Sequence, residues 1–321
     1  MKNSSARILA GVVILCSSFA AAAQEKPVIT FGYTNDITYE PFVYAIKKGI
    51  VKSDKAELKV LPISIPAALQ ALGTKQYDIL ESSVLGVANT TARGLDARIL
   101  GTSGIVRGGR YVMVNTDSAI KTPVDLKGKS MGVPGIATTL VAHLRAILAK
   151  SYGFNVSLES GDVKWVDLPL PSLPTALSRG QVESAYLIHS PSLKALESGM
   201  FRIIVDIEKG FREQFNTDPL VSVLVTYQDR IGQKGDALRD AIAQLRQSAE
   251  YARSHSDEVN NAVTAGTNFS PKELKTLSSD WYDIRFTLTA EDKRMIKTIF
   301  DVGKQLGAYQ GEVSVESILW E

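Results

Sequence analysis

The chain contains the segment Ser64-Ile-Pro-Ala-Ala-Leu69 and later a related segment, Ser172-Leu-Pro-Thr-Ala-Leu177. Each copy is followed by a glycine and then by an acidic residue, Asp78 or Glu183. A Leu-Pro pair precedes each copy and an apolar run follows it, which is the pattern expected of a strand, a helix and a strand. The sequence therefore predicts two α/β units of the same construction, with a ligand held between them.

The first 23 residues have the three parts of a secretory signal peptide. Lys2 and Arg7 precede an apolar stretch, Ile8 to Ala20, and small residues continue to position 23. The apolar stretch is too short to span a membrane. We therefore expect residues 1–23 to be removed on export, together with Cys16, which is the single cysteine of the sequence.

The charge of the mature chain limits its partners. The whole sequence has 36 basic and 34 acidic residues, and loss of Lys2 and Arg7 leaves 34 of each. A balanced surface argues against nucleic acid or an anionic membrane as the main partner, because both attract a basic excess. A small molecule is the expected partner, and the length suits two medium-sized lobes.

Strand-like and helix-like segments alternate along most of the chain. Short apolar runs bounded by turn residues predict strands, and amphipathic stretches predict helices between them. This alternation predicts an α/β protein with mainly parallel sheets. Leu220–Thr226 is apolar enough for a strand buried on both faces, and we expect it to return the chain toward the first unit. The residues from Asp236 onward predict a helical tail, with a capping box at Thr289-Ala-Glu-Asp292.

Polar residues follow the buried strands at their carboxyl ends, where open α/β sheets bind ligands. The candidate ligand-binding residues are Thr34, Asn35, Thr38, Tyr39, Ser82, Ser83, Ala137, Thr138, Thr139, His189 and Ser190. Hydroxyls and backbone N–H groups at helix starts bind an anion without burying a full charge. The same hydroxyls also fit the caps of their own helices, and Asn35 also fits an Asx-turn, so both uses stay open.

For four side chains, two interpretations stay open, one as a contact of the ligand and one as a structural or solvated residue. His189 is the histidine at a predicted strand end, where ligand contact and a structural role both fit it. Tyr39 either stacks on a planar ligand or covers the cleft floor. Arg107 and Arg110 flank a glycine-rich crossover and either reach an anion or are solvated linker residues. No second histidine or thiol stands at ligand spacing, so the sequence predicts no metal site.

Catalytic motifs are missing from the sequence. It has no Gly-x-Ser-x-Gly elbow, no Walker-type loop and no Gly-x-Gly-x-x-Gly after the first strand. Lys127-Gly-Lys-Ser130 lacks the earlier glycine and precedes a strand, whereas a phosphate loop precedes a helix. The sequence therefore predicts neither an enzyme nor a cofactor. The competing hypothesis is an enzyme on the same scaffold, with His189 as general base and Glu81 as its acidic partner.

The sequence resembles the solute-binding proteins of ABC importers for aliphatic sulfonates, taurine and nitrate, a group that includes binders of a thiamine pyrimidine precursor. The resemblance covers nearly the whole mature chain. It rests on the Gly32-Tyr33 strand end, the Ala-Leu, glycine and acid of both repeats, Val124–Lys129, the loop Pro134–Thr139 and the helical tail. It implies the type II periplasmic binding protein fold: two lobes, each a mainly parallel sheet flanked by helices, and a helical C-terminal tail. Lobe 1 comprises residues 24–107 and 228–321, and lobe 2 comprises residues 108–227.

The resemblance also implies a function. The lobes close on a small polar or anionic solute, and a permease in the inner membrane receives it from a periplasmic monomer. Two departures affect the choice of solute: Ser82-Ser83 stands where an aspartate is common, and Ile188-His-Ser190 stands where an aromatic-acid-proline triplet is common. A pyrimidine or an aromatic carboxylate is the alternative ligand, and a sensor or docking module is the alternative use of the fold.

Overall fold

The computed structural model describes residues 26–320, which form two β-sheets covered by helices. The strands are β1 Val28–Thr34, β2 Glu57–Ile63, β3 Ile79–Ser83, β4 Ala97–Val106, β5 Tyr111–Asn115, β6 Ser130–Val133, β7 Lys164–Asp167, β8 Ser184–Leu187, β9 Phe201–Asp206, β10 Leu220–Tyr227 and β11 Tyr282–Asp283. The helices are α1 Glu40–Lys47, α2 Ile65–Thr74, α3 Val84–Ala92, α4 Thr139–Tyr152, α5 Leu173–Ser178, α6 His189–Ser198, α7 Ile207–Phe215, α8 Gln228–Ser254, α9 Ser256–Thr264, α10 Pro271–Lys275, α11 Ala290–Gln305 and α12 Val315–Ile318. The predicted signal peptide lies outside the described residues.

The first sheet has the strand order β11-β4-β10-β3-β1-β2. β1 pairs in parallel with β2 and β3, whereas β10 runs antiparallel to β3 and to β4. The strands β1 to β4 therefore all run in one direction, and β10 is a reversed strand between two of them. The predicted α/β architecture with mainly parallel sheets is confirmed here.

The second sheet, in the order β7-β6-β8-β5-β9, repeats this plan. β6 pairs in parallel with β7 and β8, and β5 is the reversed strand between β8 and β9. In both sheets the reversed strand is the first one formed after the chain crosses from the other sheet. β5 follows β4 of the first sheet, and β10 follows β9 and α7 of the second.

The predicted lobe limits stay a prediction. The strand β10, which they assign to lobe 2, lies in the first sheet. Those limits assign residues up to 227 to lobe 2, whereas β10 pairs with β3 and β4 of the first sheet. Every residue of β10 is buried, because it has a strand on each side and helices over it. The strand therefore returns the chain to the first unit, as its continuous apolar sequence predicts.

The two repeated segments form equivalent units, β1-α1-β2-α2-β3 and β6-α4-β7-α5-β8. The acidic residue of each copy binds the first strand of its unit. Asp78 accepts hydrogen bonds from the backbone N (3.0 Å) and the Oγ1 (3.1 Å) of Thr30. Glu183 accepts them from the backbone N (2.9 Å) and the Oγ (3.4 Å) of Ser130. The acids of the repeat therefore help to fix how the strands pair.

The glycine-rich crossover lies between Arg107 and Arg110, where the sequence predicts it. β4 continues through Ser103-Gly104 to Val106, and the chain turns at Gly108 and Gly109. Gly109 has a φ of +84°, and a Cβ on it would lie 2.1 Å from the Trp281 ring. A larger residue at this position would therefore displace Trp281 or the turn.

The helical tail that follows β10 begins earlier than predicted. α8 starts at Gln228 instead of Asp236, and it contains a kink at Lys234, where φ is −134° and ψ is 22°. The Lys234 Nζ lies 2.9 Å from the Asp78 carboxylate, which ties this helix to the first sheet. Across residues 26–320 no helix is both long enough and apolar enough to span a bilayer.

Candidate functional site

A small pocket with a cavity volume of about 50 Å³ lies between the two sheets. Strand ends and helix starts of both sheets supply its walls. The lining residues are Thr34, Tyr39, Ile65, Ala68, Leu69, Glu81, Ser82, Ser83, Thr138, Thr139, Leu140, His189, Val221 and Ser222. The helices α3, α4 and α6 all begin at this pocket, so their positive dipole ends meet there.

Two groups of hydrogen bonds join the sheets beside the pocket. The Thr139 backbone N donates to Ser83 Oγ (2.9 Å), and the two hydroxyl oxygens are also 2.9 Å apart. Leu85 N donates to Thr139 Oγ1 (2.9 Å). In the second group, Ser190 Oγ donates to Asp36 Oδ2 (2.6 Å). Each bond joins a residue of one unit to a residue of the other, so the cleft is closed.

The pocket hydroxyls also cap helices, and the two uses coexist. Ser83 Oγ accepts from Gly86 N (3.3 Å) at the start of α3. Thr138 Oγ1 accepts from Val141 N (3.5 Å) at the start of α4. Both side chains line the pocket as well. A hydroxyl at a helix start can therefore cap its helix and line the cleft at the same time.

Glu81 lines the pocket, although it is not among the predicted ligand-binding residues. Its side chain is buried, with 3% of the residue exposed. Thr34 N donates to Oε2 and Ser222 Oγ donates to Oε1, each at 2.8 Å. Burial raises the pKa of Glu81, and the hydrogen bond from Thr34 offsets part of that increase. Within residues 26–320, no lysine, arginine or histidine forms an ion pair with it.

His189 begins α6 in a left-handed conformation, with a φ of +51°. Its ring stacks on Tyr282 at a centroid distance of 4.6 Å and lies 5.7 Å from the ring of Tyr39. Burial lowers the pKa of His189, and the carboxylate of Asp36 raises it in part. The imidazole is therefore neutral at neutral pH and offers one donor and one acceptor nitrogen.

The structure distributes the predicted site residues over three locations. The pocket brings together Thr34, Tyr39, Ser82, Ser83, Thr138, Thr139 and His189. Asn35 and Ser190 line a wider cleft beside it, with a volume of about 500 Å³, which shares Thr34 and Ile65 with the pocket. Thr38 is buried and donates to Asp36 Oδ1 (2.6 Å), and Ala137 is exposed; neither lines the pocket.

Arg110 is buried and is not a solvated linker residue. Its Nε pairs with Glu208 Oε1, and its Nη1 lies 3.0 Å from His143 Nδ1. Burial raises the pKa of Glu208, and the Arg110 guanidinium lowers it in part. Arg107, in contrast, is partly exposed and pairs with Asp283 at 2.8 Å. Neither arginine lines the pocket, so both anchor the crossover instead.

Across residues 26–320, no three His, Cys, Asp or Glu side chains are placed to hold a metal ion together.

The fold is that of the periplasmic binding proteins. The chain superimposes on the alkanesulfonate-binding protein SsuA from Xanthomonas axonopodis pv. citri, bound to MOPS, with a TM-score of 0.73 and 16% identity over 92% of this chain and 99% of that one. The periplasmic aliphatic sulphonate binding protein SsuA from Escherichia coli gives a TM-score of 0.69 and 15% identity over 92% and 97%. The predicted resemblance to this class of proteins is confirmed.

A family model described as "Menaquinone biosynthesis" matches residues 29–305, and the chain belongs to that family. Two curated relatives match shorter stretches. The taurine-binding periplasmic protein of Escherichia coli is 32% identical over 146 residues, which are 46% of this chain and 42% of that protein. The 4,5-dihydroxyphthalate decarboxylase of Comamonas testosteroni is 35% identical over 99 residues, or 30% and 29%. The chain thus aligns with less than half the length of each.

Proposed function

We propose that the protein is the periplasmic substrate-binding component of an ABC importer. It captures a small polar or anionic solute between its two sheets and delivers it to a permease in the inner membrane. The pocket carries this proposal, because strand ends and helix starts of both sheets line it and hydrogen bonds between the sheets close it. Hinge closure of two lobes on a ligand produces this arrangement.

Further observations support the same function. The taurine-binding relative and the sulfonate-binding proteins with this fold are binding proteins by their names. The pocket offers hydroxyls of Thr34, Ser82 and Ser222 beside three helix starts, which suits a small solute with polar atoms. The predicted signal peptide supports export to the periplasm, and the balanced charge argues against a nucleic acid partner.

Mass spectrometry of the purified protein tests the proposal, together with a thermal-shift panel of sulfonates, nitrate, carboxylates and pyrimidines. A solute that binds only the folded state raises the melting temperature, by the equivalent of about 2.7 kcal/mol at a hundred times its Kd. We expect a small polar molecule to copurify and one class of the panel to raise the melting temperature. A protein that copurifies with nothing and responds to no compound would contradict the function.

An enzyme is the second candidate, and the pocket itself is the reason. The pocket places a buried, neutral His189 with Glu81, whose pKa burial raises, and shifted ionisable groups of opposite kind suit general acid–base catalysis. The description of the family model and the decarboxylase relative favour this candidate. Conversion of the copurified solute by the wild-type protein, abolished in His189→Ala, would establish an enzyme. Release of the same solute unchanged after prolonged incubation would exclude turnover of that solute.

A further inference from the structure

The pocket contains a buried acid, Glu81, for which residues 26–320 supply no basic side chain as an ion-pair partner. Glu81 is 3% exposed, and its two oxygens accept hydrogen bonds from Thr34 N and Ser222 Oγ. Both donors are neutral groups. Hydrogen bonds of this kind reduce the cost of burying a carboxylate, but they do not supply a positive charge.

Glu208, which is also buried, differs from Glu81 because it has a basic partner. Glu208 is 1% exposed, and the Arg110 guanidinium pairs with it. The acid Asp78, which is 6% exposed, has Lys234 Nζ at 2.9 Å. Among the described lining residues of the pocket there is no lysine or arginine, and burial keeps His189 neutral. Glu81 is therefore neutralised either by a proton, which its raised pKa favours, or by a cation that the solute brings into the pocket.

The helix starts that line the pocket have the polarity opposite to that of Glu81. Ser83 precedes α3, Thr139 begins α4 and His189 begins α6, so three helix starts converge there. Their dipoles favour an anionic group. Glu81 and Ser83 are two residues apart on one face of β3, a distance of about 7 Å at the usual rise of a strand. The position of Glu81 and the start of α3 are therefore separated along β3 by about the length of a short molecule.

From this charge pattern we infer that the solute is a short zwitterion whose ammonium group pairs with Glu81 and whose anionic group lies at the helix starts. The inference rests on the proposed binding function and names its class of ligand. A simple anion such as nitrate meets an uncompensated carboxylate in this pocket and is disfavoured by like-charge repulsion. The solute's ammonium instead removes the cost of a buried, unpaired charge.

Two matched pairs of probes test the inference by isothermal titration calorimetry. Taurine and isethionate differ only in an amine against a hydroxyl, and so do β-alanine and 3-hydroxypropionate. We expect the amine of a pair to bind more tightly by on the order of 30-fold, because removing one partner of a buried charge pair has effects of this size. In Glu81→Gln, which keeps the shape and loses the charge, we expect this preference to fall to within a few-fold.

The control is Glu159→Gln, which removes the same charge from an exposed loop position. It keeps the amine preference if the inference is right. Equal binding of amine and hydroxyl probes, or an amine preference that survives Glu81→Gln, overturns the inference and leaves the binding function standing. Failure of all four probes also overturns it for short zwitterions, and the binding function then falls only if the wider thermal-shift panel and the search for a copurified solute fail too.

Discussion

The ends of β3 and β8 occupy the same position in the two repeated units, and they present different chemistry. Gly32 pairs with Leu80 in the first unit, and Gly132 pairs with Ala185 in the second. The next residue along the strand is Glu81 in one and Tyr186 in the other. Glu81 lines the pocket, whereas Tyr186 is fully buried and does not.

The difference shows how one scaffold separates a structural role from a binding role. Burial raises the pKa of Tyr186, and Arg110 lowers it in part, so this strand end adjoins the internally compensated Arg110–Glu208 pair. The Glu81 strand end is left uncompensated and faces the cleft. Two residues on, Ser83 caps α3 with its hydroxyl, whereas its counterpart Ile188 makes no side-chain cap for α6. At the strand end of the second unit, the buried charges of Arg110 and Glu208 thus pair with each other. At that of the first unit, Glu81 has no basic partner and is available to a solute.

The largest expected effect comes from breaking the compensated cluster. Arg110→Met leaves Glu208 buried without its cation, which we expect to lower the free energy of unfolding by about 3–5 kcal/mol. Arg107→Met is the matched control, because its ion pair is partly exposed and is worth no more than about 1 kcal/mol. Urea unfolding followed by circular dichroism measures both. Equal losses in the two variants would mean that Arg110 does not have the role assigned to it.

The next effect is the reverse in sign and concerns the uncompensated strand end. Burial raises the pKa of Glu81 above its ordinary 4.5, so the folded protein binds this proton more tightly than the unfolded chain does. Stability from this site is therefore greatest below pH 4.5 and falls as the pH rises through the folded pKa. Glu81→Gln lacks that fall, and we expect the ligand-free variant to be more stable than the wild type at pH 8.

The measurement for Glu81→Gln is the free energy of unfolding from pH 4 to pH 8, with Glu159→Gln as the exposed control. The difference between Glu81→Gln and the wild type should widen as the pH rises, and the control should follow the wild type throughout. A constant difference across this range would show that Glu81 does not titrate differently in the folded state.

At the start of α3, which Ser83 caps, we expect a smaller loss of stability than in Arg110→Met. Ser83→Ala removes the cap of α3 and the hydroxyl that accepts from Thr139 N. We expect a loss of about 1–2 kcal/mol in stability. The cleft should also open more often without this bond, which small-angle scattering would detect as a larger radius of gyration. Unchanged scattering would show that the Asp36–Ser190 bond alone holds the cleft closed.

The smallest effect compares the serines that open the two copies of the repeat. Ser64 Oγ caps α2 by accepting from Ala67 N at 3.4 Å, whereas Ser172 ends a short 3-10 helix and donates to the Pro169 carbonyl at 2.7 Å. We expect Ser64→Ala to cost about 0.5–1 kcal/mol and Ser172→Ala less, by the usual magnitude of an N-cap. Thermal unfolding of the two variants decides the order. A larger loss for Ser172→Ala would reverse it.

The sequence predicts the scaffold because the scaffold depends on local patterns. The Leu-Pro pairs, the repeated Ser-x-Pro-x-Ala-Leu and the apolar runs lie next to the strands and helices that they specify, and the α/β architecture follows from their alternation. The candidate hydroxyls at strand ends could be predicted from the sequence for the same reason. Seven of the eleven predicted side chains line the pocket.

The pattern of buried charges could not be predicted in this way, because it depends on residues that lie far apart in the chain. Glu208 lies 98 positions after Arg110, and Ser222 lies 141 positions after Glu81. A charged residue in a sequence is solvated by default, so neither the burial of Arg110 nor the isolation of Glu81 follows from its neighbours. Only the packing of the two sheets shows which of these charges has a partner.

The central claim, that the pocket between the sheets holds the solute, is tested most directly by filling it. Ala68 lines the pocket on α2, and Ala67 is exposed on the same helix, so Ala68→Phe and Ala67→Phe form a matched pair. Calorimetric titration of both folded variants with the solute that copurifies with the wild type measures the effect. Binding should be lost in Ala68→Phe and kept in Ala67→Phe. Undiminished binding by Ala68→Phe would place the solute elsewhere and contradict the account.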